Sequence, residues 1–399
     1  MFDLQNSFEF TLKNTVRFGI GLSKDLPSII KEFGFKKVGF IIDKNLYDKI
    51  DFLGDIISGC EKICELVLVH QYNQKFEPTY QFLDELVKEF RGHGKSRVDC
   101  MIGIGGGSVM DSAKGMSVLC KNQRAAIDYK GFPENINKPL PVIEVPSTAG
   151  TGSELVYNAS FIDHKAKIKM GINDVDNWPI LAILDPLIVS SAPRHVAVSS
   201  GCDALVHALE SFVSVKANPI TRIFSKQAFE LIIKTLPVLV SDLKNLQLWA
   251  KMQWGAYLAM VGLSNTSSGP AGALSYCLGT NFNIPHGIAG AVFIGKTTRL
   301  NHELGYYGYS ELFPYISQFD SNVMDAKSQS DIVVKVIEDL ITELEIPHDL
   351  IGLGVSPEDY PLLYNFATET AAGAFGFNPI RYNNQTISKL IKEMLKMRG

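Results

Sequence analysis

Short apolar runs and longer periodic segments alternate along the first half of the chain. Apolar runs bounded by polar or glycine residues predict buried strands at 37–43, 64–70, 100–104, 141–145 and 181–185. Between them, residues 23–33, a stretch from 46 onward and 78–92 have the apolar spacing of amphipathic helices. Strands that alternate with helices are typical of a parallel, doubly wound sheet.

In two segments of this half, apolar and polar residues alternate one by one instead. Phe8, Phe10 and Leu12 point to one side of an extended chain, which predicts an edge hairpin over residues 8–19. Residues 158–173 predict a second hairpin that turns around Asp163.

After about residue 190 the pattern changes, and strand-like runs nearly vanish. Amphipathic helices are predicted at 199–214, 219–236, 245–265, 268–279, 328–345 and 384–397. We therefore predict two domains with a boundary near Pro193: a Rossmann-like α/β domain over 1–192 and an all-helical domain over 193–399.

The composition and charge of the chain disfavour several classes of protein. The chain has 399 residues, is 46% apolar and 20% charged, and carries a formal net charge of -4, which is ordinary for a soluble protein and disfavours nucleic acid as the partner. It has no uninterrupted apolar run of about 18 residues, so we expect no membrane span. The N-terminus lacks a basic-then-apolar signal pattern, and the six scattered cysteines favour reduced thiols in a cytoplasmic protein.

The first candidate site follows the strand predicted at 100–104. Three consecutive glycines come next, then Ser108 and a helix that carries Asp111; the glycines are Gly105, Gly106 and Gly107. Glycine permits positive φ and close approach of a ligand, the Ser108 hydroxyl can cap the helix, and helix N-termini bind anions. The stretch predicts a phosphate-binding turn; the alternative is a glycine-rich turn without a ligand.

Polar residues also lie at the carboxyl ends of two further predicted strands. Asp43 can accept bonds from the ribose hydroxyls of a dinucleotide, which favours NAD over NADP because an aspartate repels a 2′-phosphate. Alternatively, Asp43 caps the next helix. A hydroxyl-rich turn after 141–145 could bind a diphosphate or a nicotinamide ribose, through Ser147, Thr148 and Thr151.

The second candidate site has the residue types of a metal centre. Asp203 and His207 stand four residues apart on a predicted helix, so both side chains share one face. His286 lies in a Pro-His-Gly turn just past another helix. One carboxylate and two imidazoles suit a divalent metal with an open position; the alternative is that the histidines only pack between helices.

Together these motifs resemble the iron-containing (group III) alcohol dehydrogenase family over nearly the whole chain. The resemblance is carried by 105–114 (GGGSVMDSAK), 146–154 (PSTAGTGSE), 183–186 (ILDP), 201–210 (GCDALVHALE), 218–219 (NP) and 284–287 (IPHG). It implies an α/β dinucleotide-binding domain, an all-helical domain as in dehydroquinate synthase-like proteins, and a cleft between the two. It further implies hydride transfer between NAD(P) and an alcohol or aldehyde, with Fe²⁺ or Zn²⁺ polarising the substrate oxygen.

The resemblance also assigns residues by position. Nucleotide-binding positions of the family match Asp43, Gly106, Gly107, Ser108, Ser147, Thr148, Thr151 and Lys169; three metal ligands match Asp203, His207 and His286. Asn158 matches a position close to the substrate. Family members often dimerise through the N-terminal edge hairpin, which implies a homodimer built on residues 8–19.

The chain departs from the family at one point. Two further histidines are usual before the Pro-His-Gly turn, and counting back from His286 places Gly272 and Tyr276 there. Three hypotheses follow: a three-ligand metal, no metal with Tyr276 as hydrogen-bond or proton donor, or a fold that has lost catalysis. The first also leaves Tyr276 and His286 as catalytic candidates.

The function predicted is a metal-dependent oxidoreductase that transfers a hydride between NAD and an alcohol or aldehyde. One alternative is a dehydrogenase or oxidase of a sugar or sugar acid, similar to 3-deoxy-manno-octulosonate 8-oxidase, because Gly272 could leave space for a bulky polar substrate. A cyclising or sugar-phosphate enzyme similar to dehydroquinate synthase or glycerol-1-phosphate dehydrogenase fits the histidine motifs less well. A catalytically inactive NAD-binding structural or regulatory protein is the remaining alternative.

Overall fold

A computed structural model describes residues 7–74, 77–92, 98–316 and 324–397. Contacts divide the chain into two compact units. The α/β unit comprises Leu12–Pro193 and Leu243–Gln253. The helical unit comprises Arg194–Asp242, the described chain from Trp254 onward and the described residues before Leu12.

The α/β unit is built on a parallel sheet of six strands, in the order β1-β8-β5-β4-β2-β3, with β6 and β7 forming a separate antiparallel hairpin. The strands are β1 Thr15–Phe18, β2 Lys37–Asp43, β3 Glu65–Tyr72, β4 Cys100–Gly105, β5 Val142–Pro146, β6 Asn158–Asp163, β7 Ile168–Asn173 and β8 Leu181–Leu184. The predicted parallel α/β fold and the hairpin at 158–173 are confirmed.

Both faces of the sheet are buried. Successive side chains of a strand point to opposite sides, so neighbouring residues join different apolar clusters. Phe40 and Ile102 pack in one apolar cluster, and Ile41 and Met101 pack in the other. The helices of this unit are α1 Leu26–Phe33, α2 Lys44–Lys49, α3 Asp51–Glu61, α4 Tyr80–Gly92, α5 Gly107–Leu119 and α6 Pro186–Val189. Short 3₁₀ turns cover Leu22–Asp25, Ala126–Tyr129 and Ser153–Leu155.

The hairpin predicted for residues 8–19 is wrong. Among the described residues of this stretch only β1 is a strand, and it pairs in parallel with β8. The backbone of Thr11 is bonded to the side chain of Asn265 instead, through Thr11 N–H to Oδ1 (2.6 Å) and Asn265 Nδ2 to the Thr11 carbonyl (3.0 Å). Phe10 stacks on Phe224 at 5.8 Å, so its apolar side chain packs on a helix rather than in a sheet.

The helical unit contains the long helices that the apolar spacing predicts. The α-helices from here on, including α9, which starts in the α/β unit, are α7 Arg194–Val213, α8 Pro219–Ser241, α9 Leu246–Ser264, α10 Pro270–Phe282, α11 His286–Glu303, α12 Phe313–Ile316, α13 Ala326–Glu343, α14 Tyr360–Asn365, α15 Ala372–Phe375 and α16 Asn384–Met394. Short 3₁₀ turns cover Gly308–Leu312, Ile351–Leu353 and Pro357–Asp359, and a π-helical turn covers Phe366–Thr370. α11 was not predicted. Only α7, among the described helices, is long and apolar enough to cross a membrane, and it is mostly buried, as the core helix of a soluble protein also would be.

Candidate functional site

The polar strand ends meet at one edge of the parallel sheet. Ile42 is in register with Ile104, and Gly105 is in register with Pro146. Asp43, the glycine turn and the turn after β5 therefore follow three adjacent strands at their carboxyl ends, where parallel sheets bind ligands.

The glycine turn packs directly against the neighbouring hydroxyl-rich turn. Ser147 N–H donates to the Gly105 carbonyl at 2.8 Å. A Cβ at Gly107 would lie 3.1 Å from the Thr151 methyl, and one at Gly106 would lie 3.4 Å from that of Thr148. Close packing is thus what requires glycine here.

Two features that the sequence permits in this turn do not occur. Gly105, Gly106 and Gly107 do not have positive φ; in this region Gly152 does, at 62°. Ser108 does not cap α5, because the helix already begins at Gly107 with Gly106 as N-cap. The Ser108 side chain hydrogen-bonds Tyr72 at the end of β3 instead. No side chain caps α5, so its first amides can still receive an anion.

Asp43 caps the helix that follows it, which was the alternative to ribose binding. Its Oδ1 accepts from Asn45 N–H at 2.8 Å and from Leu46 N–H at 3.3 Å. The cap fixes the carboxylate at the sheet edge, and ribose binding by Asp43 stays a prediction.

Asp111 belongs to a buried network beneath the turn. Its carboxylate accepts from the Ser153 hydroxyl (2.5 Å) and from Ser160 N–H (2.9 Å), and lies 3.2 Å from the buried ammonium of Lys114. Lys114 also donates to the carbonyls of Ser153 (2.8 Å) and Asn158 (2.7 Å). Both carboxylate oxygens of Asp111 are thus used inside the chain, where they hold residues 153–160 against α5.

Two buried glutamates lie near this network. Glu144, on β5, is completely buried, and neither carboxylate oxygen has a partner among the described residues. Burial raises its pKa well above the ordinary value. Burial also raises the pKa of Glu154 to about 7, against the opposing effects of a backbone hydrogen bond and the Lys114 charge.

The free energy of unfolding is therefore expected to fall as the pH rises from about 5 to 8. A carboxyl whose pKa is raised on folding stabilises the fold fully below its unfolded pKa near 4.5 and loses that contribution as the pH passes about 7. For Glu154 the loss is on the order of 3 kcal/mol. Urea denaturation at pH 5 and pH 8 should show a smaller pH dependence for Glu154→Gln, whereas exposed Glu61→Gln should match the wild type. Equal slopes for all three proteins would contradict the assignment.

Two further predicted site residues are already engaged within the α/β unit. Lys169 on β7 forms an ion pair with Glu77 at 2.7 Å. Asn158 begins β6, and its carbonyl accepts from Lys114. Nucleotide binding by Lys169 and substrate contact by Asn158 stay predictions.

The predicted metal-ligating residues lie on two helices that pack together in the helical unit. Asp203 and His207 lie one turn apart on the buried helix α7, and His286 is the first residue of α11. A Cβ at Gly287 would collide with the Ser199 carbonyl and lie 3.2 Å from Asp203 Cβ. Glycine at 287 is what lets α11 start against the backbone of α7 and bring His286 to Asp203.

The three side chains converge on one carboxylate oxygen. Asp203 Oδ1 lies 3.4 Å from His207 Nε2 and 3.7 Å from His286 Nε2. His207 Nδ1 is buried without a partner among the described residues, so this ring engages through Nε2. Both contacts are ion pairs only for a protonated imidazole. The described part of the chain holds no group already arranged as a metal-binding cluster.

The donor set nevertheless fits a divalent ion. Tetrahedral ligands that share one ion at 2.0–2.2 Å are about 3.4 Å apart. The spacings of Asp203 Oδ1 to the two ring nitrogens are close to that value, and one oxygen with two imidazole nitrogens suits zinc or iron.

A buried carboxylate, that of Glu210, lies next to Gly272. A Cβ at Gly272 would collide with the Ser268 hydroxyl and lie 2.9 Å from Glu210 Oε2. Glu210 accepts from the Ser268 hydroxyl (2.8 Å) and from the amides of Gly269 (2.7 Å), Ala271 (2.7 Å) and Gly272. Burial raises the pKa of Glu210, and these bonds oppose the rise. Glu210 thus caps α10. Ser268 and Glu210 already occupy the space beside Gly272, so the interpretation that this glycine leaves room there for a bulky substrate is wrong.

Tyr276 and Ser275 both contact His286. The Tyr276 and His286 ring centroids are 4.6 Å apart. The Ser275 hydroxyl lies 2.9 Å from His286 Nδ1 and 3.2 Å from Nε2. The sequence indicated Tyr276 by its position but gave no reason to single out Ser275, Glu210 or Gly287, whose roles depend on helices distant in the sequence.

A parallel sheet with an uncapped helix start and a separate Asp–His–His group are compatible with a dehydrogenase-type oxidoreductase. Models of two families match: "Iron-containing alcohol dehydrogenase" over residues 13–186 and "Fe-containing alcohol dehydrogenase family, C-terminal" over residues 197–395.

Individual proteins are similar over nearly the full length. Alcohol dehydrogenase 4 of Schizosaccharomyces pombe is 30% identical over 394 residues, which cover 95% of this chain and 87% of that protein. The NAD-dependent methanol dehydrogenase of Bacillus methanolicus is 28% identical, with 94% and 97% covered. The structure of an alcohol dehydrogenase from Oenococcus oeni superposes with a TM-score of 0.89 at 26% identity, covering 97% of this chain and all of that one. The chain belongs to the iron-containing alcohol dehydrogenase family.

Proposed function

We propose that this chain interconverts an alcohol and its aldehyde, using NAD bound at the glycine turn and a divalent metal, Fe²⁺ or Zn²⁺, held by Asp203, His207 and His286. The observation that carries the proposal is the convergence of both imidazole Nε2 atoms on Asp203 Oδ1, at 3.4 and 3.7 Å. Three donors are enough for a catalytic metal.

The α/β unit supplies the nucleotide site. The uncapped start of α5 offers backbone N–H groups and the positive end of the helix dipole to a diphosphate. Asp43 caps α2 at the end of β2, and its negative charge would repel a 2′-phosphate bound near it. These features favour NAD over NADP.

The helical unit supplies the groups around the substrate oxygen. The metal, when bound, would act as a Lewis acid on that oxygen. His286 presents Nε2 toward Asp203, and Tyr276 packs beside the His286 ring, where its hydroxyl can relay a proton. Tyr276 therefore keeps a catalytic role alongside a metal.

The experiment is an NAD-linked screen of alcohols, diols, sugar alcohols and aldehydes with purified protein supplied with Fe²⁺ or Zn²⁺. We expect turnover on simple alcohols or aldehydes, and a kcat at least about a hundredfold lower in Tyr276→Phe than in the wild type. Turnover confined to sugar acids would favour the sugar-acid alternative. Tight NAD binding with no turnover on any compound would favour a regulatory protein.

Replacing Gly107 by alanine is expected to weaken NAD binding at least tenfold. The added methyl would sit 3.1–3.3 Å from three side-chain atoms of Thr151, so Thr151 must give way slightly. We expect the first amides of α5, which pack against it, to shift with it. Isothermal titration with NAD measures the effect. Gly54→Ala is the matched control, because a Cβ there meets only the Tyr47 hydroxyl at 4.0 Å; equal NAD affinity in both variants would count against the assigned site.

Location and assembly remain part of the proposal. All six cysteines are free thiols, as suits a reducing cytoplasm. A homodimer is still expected, although the hairpin on which that expectation rested is absent; sedimentation at several protein concentrations would test it.

A further inference from the structure

We propose that Ser275 is a positioning residue that fixes the tautomer of His286, so that Nε2 presents its lone pair to the metal. The inference rests on the proposed metal site and adds a residue that the family resemblance does not assign.

The direction of the Ser275 hydrogen bonds determines which ring nitrogen of His286 carries the proton. Its hydroxyl donates to the Gly272 carbonyl at 2.5 Å. A serine has one hydroxyl proton, so toward His286 the same oxygen can only accept. The ring nitrogen nearest to it is Nδ1, at 2.9 Å. Nε2 lies farther from the hydroxyl, at 3.2 Å, so we assign the proton to Nδ1.

A neutral imidazole has one N–H, so Nε2 is then unprotonated. Nε2 is also the atom that lies 3.7 Å from Asp203 Oδ1. Ser275 is completely buried on α10, so no solvent competes for its oxygen. Partners of this kind orient metal-binding histidines, and losing one typically costs ten- to a hundredfold in metal affinity.

The local structure connects this bond to the departure at residue 272. Glu210 caps α10 at the amides of Gly269, Ala271 and Gly272, which fixes the first turn of the helix. The Gly272 carbonyl in that turn accepts the hydrogen bond from the Ser275 hydroxyl. Residue 272 thus offers a backbone carbonyl in place of a histidine side chain. That carbonyl orients the Ser275 hydroxyl, which in turn orients His286.

The test measures tautomer and metal affinity separately. In metal-free wild-type protein labelled with ¹⁵N-histidine, long-range ¹⁵N–¹H spectra should show His286 as the Nδ1–H tautomer. Ser275→Ala should lose that preference and bind Zn²⁺ ten- to a hundredfold more weakly in competition with a chromophoric chelator. Ser275→Thr, which keeps the hydroxyl, should restore both.

Ser211→Ala is the matched control. Ser211 is also completely buried and donates to a carbonyl three residues earlier, that of Ala208, but it contacts Ser225 rather than a metal-binding residue. Its Zn²⁺ affinity should equal that of the wild type.

An Nε2–H tautomer in the wild type, or wild-type Zn²⁺ affinity in Ser275→Ala, would overturn the role of Ser275. A wild-type protein that shows the Nδ1–H tautomer and binds neither Zn²⁺ nor Fe²⁺ would support that role while refuting the proposed metal-dependent function.

Discussion

His207→Ala is expected to lower kcat/KM for NAD-linked turnover at least about a thousandfold and to abolish stable metal binding. His207 supplies one of three donors, and two remaining donors, Asp203 and His286, make a poor site for zinc or iron. Lewis-acid activation contributes several kcal/mol, and each 1.4 kcal/mol is a factor of ten in rate. Steady-state kinetics and elemental analysis of the purified variant measure the two effects.

His302→Ala separates loss of the site from loss of a buried histidine. His302, also buried in the helical unit, bonds the Ser330 hydroxyl at 3.0 Å and lies on the last turn of α11. We expect that variant to lose stability but to keep its metal. Metal content and turnover in His207→Ala equal to those in His302→Ala would refute the assigned role of His207.

Gly287→Ala is expected to reduce metal affinity at least a hundredfold and to destabilise the fold by about 1–3 kcal/mol. The new methyl would collide with a backbone carbonyl, that of Ser199, which cannot rotate away as a flexible side chain would. α7 and α11 must separate, and His286 moves away from Asp203 because the two residues lie on these two helices. Calorimetric titration with Zn²⁺ and thermal unfolding give the two numbers.

Gly373→Ala is the control for this variant, since a Cβ at Gly373 meets nothing within 4 Å. That substitution should leave metal affinity unchanged and unfolding nearly so. If Gly287→Ala bound Zn²⁺ as well as Gly373→Ala does, the close approach of α11 to α7 would not be what places His286.

The sheet was predictable because its strands carry their own signal. β2 was predicted at 37–43 and is observed at Lys37–Asp43, since an apolar run buried on both faces is bounded by polar residues. The polar strand ends could be placed together for the same reason, because parallel strands share one carboxyl edge. Their finer roles could not: whether Asp43 caps a helix and whether Ser108 does depend on where α2 and α5 begin.

α11 was missed because its first half lacks a polar face. Gly287, Ala289 and the run from Gly290 to Gly295 are all buried, so the apolar spacing that identifies an amphipathic helix is absent. The start of that helix places His286, so the site could be identified by residue type but not by geometry. Glu210 and Ser275 act on backbone and ring atoms many residues away, which no local pattern reports.

We propose that Asp203, His207 and His286 hold a catalytic metal although residue 272 is glycine. The most direct test is to measure metal content and NAD-linked turnover before chelation, after chelation and after adding back Fe²⁺ or Zn²⁺, with NAD affinity followed throughout. We predict about one divalent ion per chain, loss of turnover with NAD affinity retained after chelation, and recovery when metal is restored. Full turnover in metal-free protein would contradict the claim.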